Sequence, residues 1–180
     1  YLFLVPAIGM RLWSEEKKSG TIELLFTLPV NAWEAVFAKF AAAWIFFGIT
    51  LLFTTPIVAT VYYLGNPDLG PILSGYFGCF LMGGAYLSVT CLTSSLTQNQ
   101  VISFISSVLI CFIMLLLGIG VFTEFISSNF SQTTANFFTQ LGFLAHYDGL
   151  QRGLLDSRDL IYFLTIIIVM LGANITVLES

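Results

Sequence analysis

Charged residues punctuate this chain so sparsely that the apolar stretches between them define its elements. No charge occurs between Lys39 and Asp68, and none between Asp68 and Glu124. A bilayer crossing takes about 20 apolar residues, so the first gap predicts one helix over about 35–64. Pro56 should kink it, and Asn66, Pro67 and Gly70 supply the following turn. The second gap is too long for one helix. It predicts a hairpin of two, over about 71–96 and 101–122, bent at the polar cluster Thr97-Gln98-Asn99-Gln100. A last span over about 160–178 opens after Asp156, Ser157 and Asp159, whose side-chain oxygens and negative charge suit a first helical turn. Residues 123–157 contain no continuous apolar run of spanning length and form a loop on the far side, with room for short interfacial or re-entrant helices. The opening segment Tyr1–Met10 is apolar but too short to span by itself, and reads as the inner end of a helix whose earlier part lies outside the sequence.

Composition narrows the class. Hydrophobic residues make up 57% and charged residues 9% of the 180, against about 25% charged in a soluble domain. Water is therefore not the main solvent, and the expected fold is all-α, a polytopic transmembrane helix bundle forming one domain over 1–180. The net charge of −4 says less than the placement of the basic residues, because cytoplasmic loops collect Lys and Arg. Arg11, Lys17, Lys18 and Lys39 flank and occupy the segment 11–34, whereas the Asp68 turn has none. That puts 11–34 in the cytoplasm. Counting crossings then puts the Asp68 turn outside, the Gln98 bend inside, the loop 123–157 extracytoplasmic, and Glu179 inside. Arg152 and Arg158 fall on the outer side, close to Asp148, Asp156 and Asp159.

The segment Leu12–Phe40 is the one stretch that is charged yet strongly patterned. Ser14 can cap a short helix with Glu15 and Glu16 in its first turn and Lys17 and Lys18 after them. Ile22, Leu24, Leu25 and Leu28 then make an apolar face, to lie along the membrane surface or against a partner protein. Pro29 ends this helix, and Asn31 with Glu34 forms a capping pair for the next one.

The acidic pair and basic pair, then Ser19-Gly20-Thr21, Glu23-Leu24-Leu25 and Thr27-Leu28-Pro29-Val30, with Lys39 at the mouth of the next span, resemble the type-two ABC export permeases. Among these the similarity is greatest to the permeases associated with gliding motility and with nitrous oxide reductase maturation. The stretch His146-Tyr147-Asp148 through Arg152-Gly153-Leu154-Leu155-Asp156-Ser157-Arg158-Asp159 resembles the last outer loop of that family. The resemblance implies a six-span permease fold, here with the first span missing or truncated, in the bacterial cytoplasmic membrane. It also implies a separate ATP-binding-cassette ATPase subunit and a second permease copy or homologue as partners. By the same resemblance, 11–34 is the coupling segment, and Glu15, Glu16, Gly20, Thr21, Glu23 and Leu24 would meet the ATPase. Gly20 would permit close backbone approach and the charges would fix register.

Other features carry less. Cys79, Cys91 and Cys111 lie inside apolar runs at no metal or redox spacing, and read as small buried hydrophobes. His146 has no Cys or His neighbour at metal spacing, so a loop hydrogen bond is its expected role. Asn129-Phe130-Ser131 and Asn174-Ile175-Thr176 match the glycosylation pattern by chance, the second inside a span. Gly75, Gly78, Met82, Gly83, Gly84 and Ser88 leave a smooth stripe on one helix, as do Gly118 and Gly120 on the next. Such stripes serve packing within the chain or a homodimer seam. Thr54, Thr55, Thr90, Thr93, Ser94 and Ser95 either line a path or bond their own backbone. The sequence lacks a glycine-rich GxxxxGK[ST] phosphate loop, and its spans lack an ionisable group at mid-depth. It therefore predicts no catalytic residue, metal, cofactor or nucleic-acid partner, and energy for transport would come from another polypeptide. A channel or passive facilitator, or a structural membrane subunit, remains the alternative.

Overall fold

The helix with the most small residues occupies the centre of the molecule. In the computed structural model, residues 1–27, 31–65, 67–119, 139–153 and 156–179 are described, those at 24–26 without their side chains. The Leu28-Pro29 helix stop, Asn66, Gly120, Glu124, the Asn129 pattern and Leu154-Leu155 lie outside the described residues. The described elements are α1 (Leu4–Gly9), α2 (Ser14–Ser19), α3 (Thr21–Thr27), α4 (Ala32–Leu52), α5 (Thr55–Leu64), α6 (Leu69–Leu96), α7 (Gln100–Leu117), α8 (Phe143–Gln151) and α9 (Ser157–Glu179). Four stretches are long and apolar enough to cross a membrane: 32–64, which is α4 with α5, and the helices α6, α7 and α9. The fold is thus the expected polytopic helical bundle.

Helix α6 is the hub. The apolar window of α6 is 61% buried, against 17–22% in the other three spans, and α1, α4, α7, α8 and α9 all pack on it. Its glycines explain how so many neighbours fit. A Cβ on Gly83 would stand 2.1 Å from the Phe47 ring, and one on Gly84 2.8 Å from the Trp44 indole, so α4 approaches here only because these positions are bare. Trp44 fills the gap by stacking on Phe80 at 4.7 Å and donating its indole N–H to the Phe80 carbonyl at 3.1 Å. Gly78 faces Leu150 of α8 in the same way, while Gly75 faces nothing within 4 Å. Most of the stripe is used for packing inside the chain. The outward faces carry Phe46, Ile49, Ile105, Leu109, Ile113 and Ile168, all exposed, which is the pattern of helices solvated by lipid.

Breaks and caps follow local chemistry. Pro56 has no N–H for the carbonyl one turn earlier, and the first span breaks at Phe53–Thr54. The Thr54 and Thr55 hydroxyls donate to the Leu51 and Leu52 carbonyls at 2.6 and 2.7 Å, so the kink strands no acceptor there. At the Gln98 bend, Asn99 Oδ1 accepts from the Val101 N–H at 3.0 Å and starts α7. Asn31 and Glu34 form the expected capping box on α4, and Asp156 accepts from the Arg158 N–H at 3.1 Å at the head of α9.

Within 139–153, α8 is more than part of a loop. It runs alongside α6: Phe143 meets Tyr86 edge-on at 4.8 Å, Tyr147 bonds Cys79 Sγ at 3.2 Å, and Gly153 reaches Pro71. Phe143 and Leu150 are fully sequestered. Burial, with the Cys79 contact second, holds the Tyr147 phenol above its ordinary range. His146 ties α8 to α9, with Nδ1 at 2.7 Å from Asp159 Oδ1 and Nε2 at 2.9 Å from the Gln140 carbonyl. Its ring stacks on Tyr162 at 3.9 Å.

Candidate functional site

The charged segment forms an elbow of two short helices at one end of the bundle. A single helix through 14–28 was the expectation; instead Gly20 ends α2 in the left-handed conformation, φ +73°, and α3 begins at Thr21. Glycine reaches that conformation without steric cost, and it is a common way to close a helix. The Ser19 hydroxyl donates to the Glu15 carbonyl at 2.9 Å and pairs with Thr21 Oγ1 at 2.9 Å, which fastens the turn. Glu15 and Glu16 occupy the first turn of α2 and Lys17 and Lys18 the last, each with the sign that suits the helix dipole. Ser14 is not the predicted cap. Trp13 holds that position, and the Ser14 hydroxyl turns back to the Met10 carbonyl at 2.5 Å.

Six residues were singled out from the sequence, and the elbow separates them. Glu15, Gly20, Thr21 and Glu23 are exposed. Glu16 instead reaches Lys39 of α4 at 2.5 Å. Leu24 lies in α3, with its side chain outside the described residues. The space around Gly20 is open for 4 Å, so within this chain the need for glycine there comes from its backbone angle.

The inner side of the elbow is pinned to the bundle by Trp13, Ser94 and Lys39, whose anchoring role was not legible in the sequence. Ser94, near the end of α6, accepts from the backbone N–H groups of Trp13 and Ser14 at 3.0 and 3.1 Å and donates to the Met10 carbonyl at 2.9 Å. Its hydroxyl thus satisfies three backbone groups where the chain leaves α1. Of the other hydroxyls singled out in the sequence, Thr90, Thr93 and Ser95 bond carbonyls of their own helix, and Thr54 and Thr55 bond carbonyls at the end of α4. Lys39 is shared three ways: Nζ pairs with Glu16, donates to the Leu12 carbonyl at 2.8 Å, and sits 4.0 Å from the centroid of the Trp13 ring. Trp13 is fully buried in a cluster with Val36 and Cys91, against which Leu171, Ile175 and Leu178 of α9 also pack. Asn174 of α9, also fully buried, donates to Cys91 Sγ at 3.1 Å. Burial closes its glycosylation pattern to any enzyme. The signals for Trp13 and Ser94 were weak: an aromatic beside the charged motif, and one serine among several.

Seen along the bundle, the elbow, the Gln98 bend and the end of α9 share one end, while the Asp68 turn and Gly153 share the other. The described residues include no group of three or more His, Cys, Asp or Glu able to hold a metal. No curated protein and no solved structure matches the chain. The family model described as ABC-2 family transporter protein matches residues 1–178. With nearly the whole chain matched, and with three membrane-capable stretches packed around a fourth, the chain belongs to the ABC-2 transporter family and is a multi-pass membrane permease of an ABC transporter.

Proposed function

We propose that this permease is driven by a separate ATP-binding-cassette ATPase subunit and exports substrate across a bacterial cytoplasmic membrane, paired with a second permease copy or homologue. The observation that carries the reading is the elbow itself: Glu15, Gly20, Thr21 and Glu23 point outward while Ser94 and Lys39 fix its inner side to α6 and α4. A surface built to receive a push needs both an exposed face and a firm attachment. Glu15, Thr21 and Glu23 are the residues proposed to meet the ATPase, with Leu24 beside them on α3. Glu16 contributes from behind by holding Lys39. Within the family, the motif 15–30 and the stretch 146–159 favour the gliding-motility and nitrous oxide reductase maturation permeases, and the genes adjacent to this one test that placement.

Purification from native membranes tests the function. The expected result is an ATPase subunit carried with the permease and released or uncoupled by Glu15→Lys. Solute flux in reconstituted vesicles with no ATPase present would instead establish a passive facilitator.

A further inference from the structure

We propose that Trp13 is the positioning residue through which movement of the α2–α3 elbow reaches the spanning helices. The inference rests on the coupling role proposed above for that elbow. Most of the elbow's described side chains face outward, and α3 packs principally on α2. Ile22 of α3 also packs on the cluster that contains Trp13, so a displacement imposed on α3 reaches that cluster both directly and through α2. There Trp13 is a rigid, fully buried ring clustered with residues of three spanning helices: Val36 of α4, Cys91 of α6, and Leu171, Ile175 and Leu178 of α9. Its backbone is fixed to α6 by Ser94 and its face is covered by Lys39 of α4. A close-packed interior transmits displacement because it has no slack, so a shift of this ring moves α4, α6 and α9 together.

A second observation bears on the same place. The indole Nε1–H of Trp13 and the amide of Asn174 both lie against the buried Cys91 thiol, and the Asn174 Oδ1 is buried without a hydrogen-bond partner. An unpaired buried acceptor is unfavourable. A displaced arrangement in which the indole N–H turned from Cys91 to that oxygen would give the node a second stable position, which a conformational switch requires.

Cys79 offers a native reporter, since it lies in the outer half of α6 and is only partly buried, whereas Cys91 and Cys111 are enclosed. The experiment measures maleimide labelling of Cys79 in the permease purified with its ATPase, with and without ATP plus vanadate. The wild type is expected to change its labelling rate about fivefold or more on trapping. Trp13→Leu and Ser94→Ala are expected to keep the ATPase bound and lose that change. Loss of packing alone would lower yield without erasing the nucleotide dependence. Retention of the full change in a variant that binds ATPase overturns the proposal, and if Trp13→Leu does not accumulate, Ser94→Ala decides. A wild type that carries ATPase but shows no change at Cys79 overturns it as well. A wild type that carries no ATPase overturns the coupling reading itself, and this inference with it.

Discussion

A single torsion decides what Gly20 can become. At φ +73° any side chain with a Cβ is strained, but asparagine tolerates the left-handed region better than a β-branched residue. Gly20→Asn should therefore keep the elbow and Gly20→Val should distort it, with a stability difference of about 1 kcal/mol or more readable by thermal unfolding in detergent. Equal melting temperatures would show that the turn does not need its glycine. Asn174 makes an opposite case. Its amide nitrogen has a partner and its oxygen has none, so an apolar residue of the same shape removes an uncompensated group. Asn174→Leu should leave stability unchanged or raise it by about 1 kcal/mol, while reducing transport. Neither result was visible in the sequence. Gly20 stood out by its place in a motif, yet its torsion depends on where α2 ends. Asn174 looked like a stray sequon until Cys91 was found beside it.

At the scale of elements, periodicity and punctuation were enough for the spanning helices and insufficient for the others. The capping pair Asn31 and Glu34, the Pro56 kink, the Asn99 bend and the Asp156 cap are local in sequence, and all were legible. The course of α8 was not, because it depends on contacts to residues about 70 positions away, such as Tyr147 with Cys79 and Leu150 with Gly78. Packing at α6 makes a direct prediction. Gly83→Ala puts a methyl group into the Phe47 ring, and overpacking of that kind costs about 1–3 kcal/mol. Phe47→Leu in the same chain should recover part of the loss, whereas full additivity of the two changes would mean the contact is absent. The junction of α8 with α9 is testable in the same way. His146→Ala and Asp159→Ala should each loosen it, and the double variant should fall short of the sum by about 0.5 kcal/mol or more, because both remove one bond.

For the whole molecule, two structural facts support the proposed coupling: a central helix on which the other spans pack, α4 closely at Gly83 and Gly84, and a charged elbow fastened to one end of it. Lys39 shows how the two are joined. A lysine at the mouth of a span has to find partners, and here one ammonium group connects Glu16 on the elbow, the Leu12 carbonyl and the Trp13 ring. The sequence made the elbow conspicuous through its charges, but its anchoring depends on Ser94, about 80 residues away. The account stands on the elbow being cytoplasmic and in contact with an ATPase. A photo-crosslinking side chain placed at Thr21, an exposed position on the outer face of the elbow, examines both conditions in intact native membranes. The account predicts a covalent adduct with an ATP-binding-cassette subunit, formed at a position shielded from membrane-impermeant reagents added outside. Labelling of Thr21 from the outer face, or crosslinking that never captures an ATPase, would contradict it.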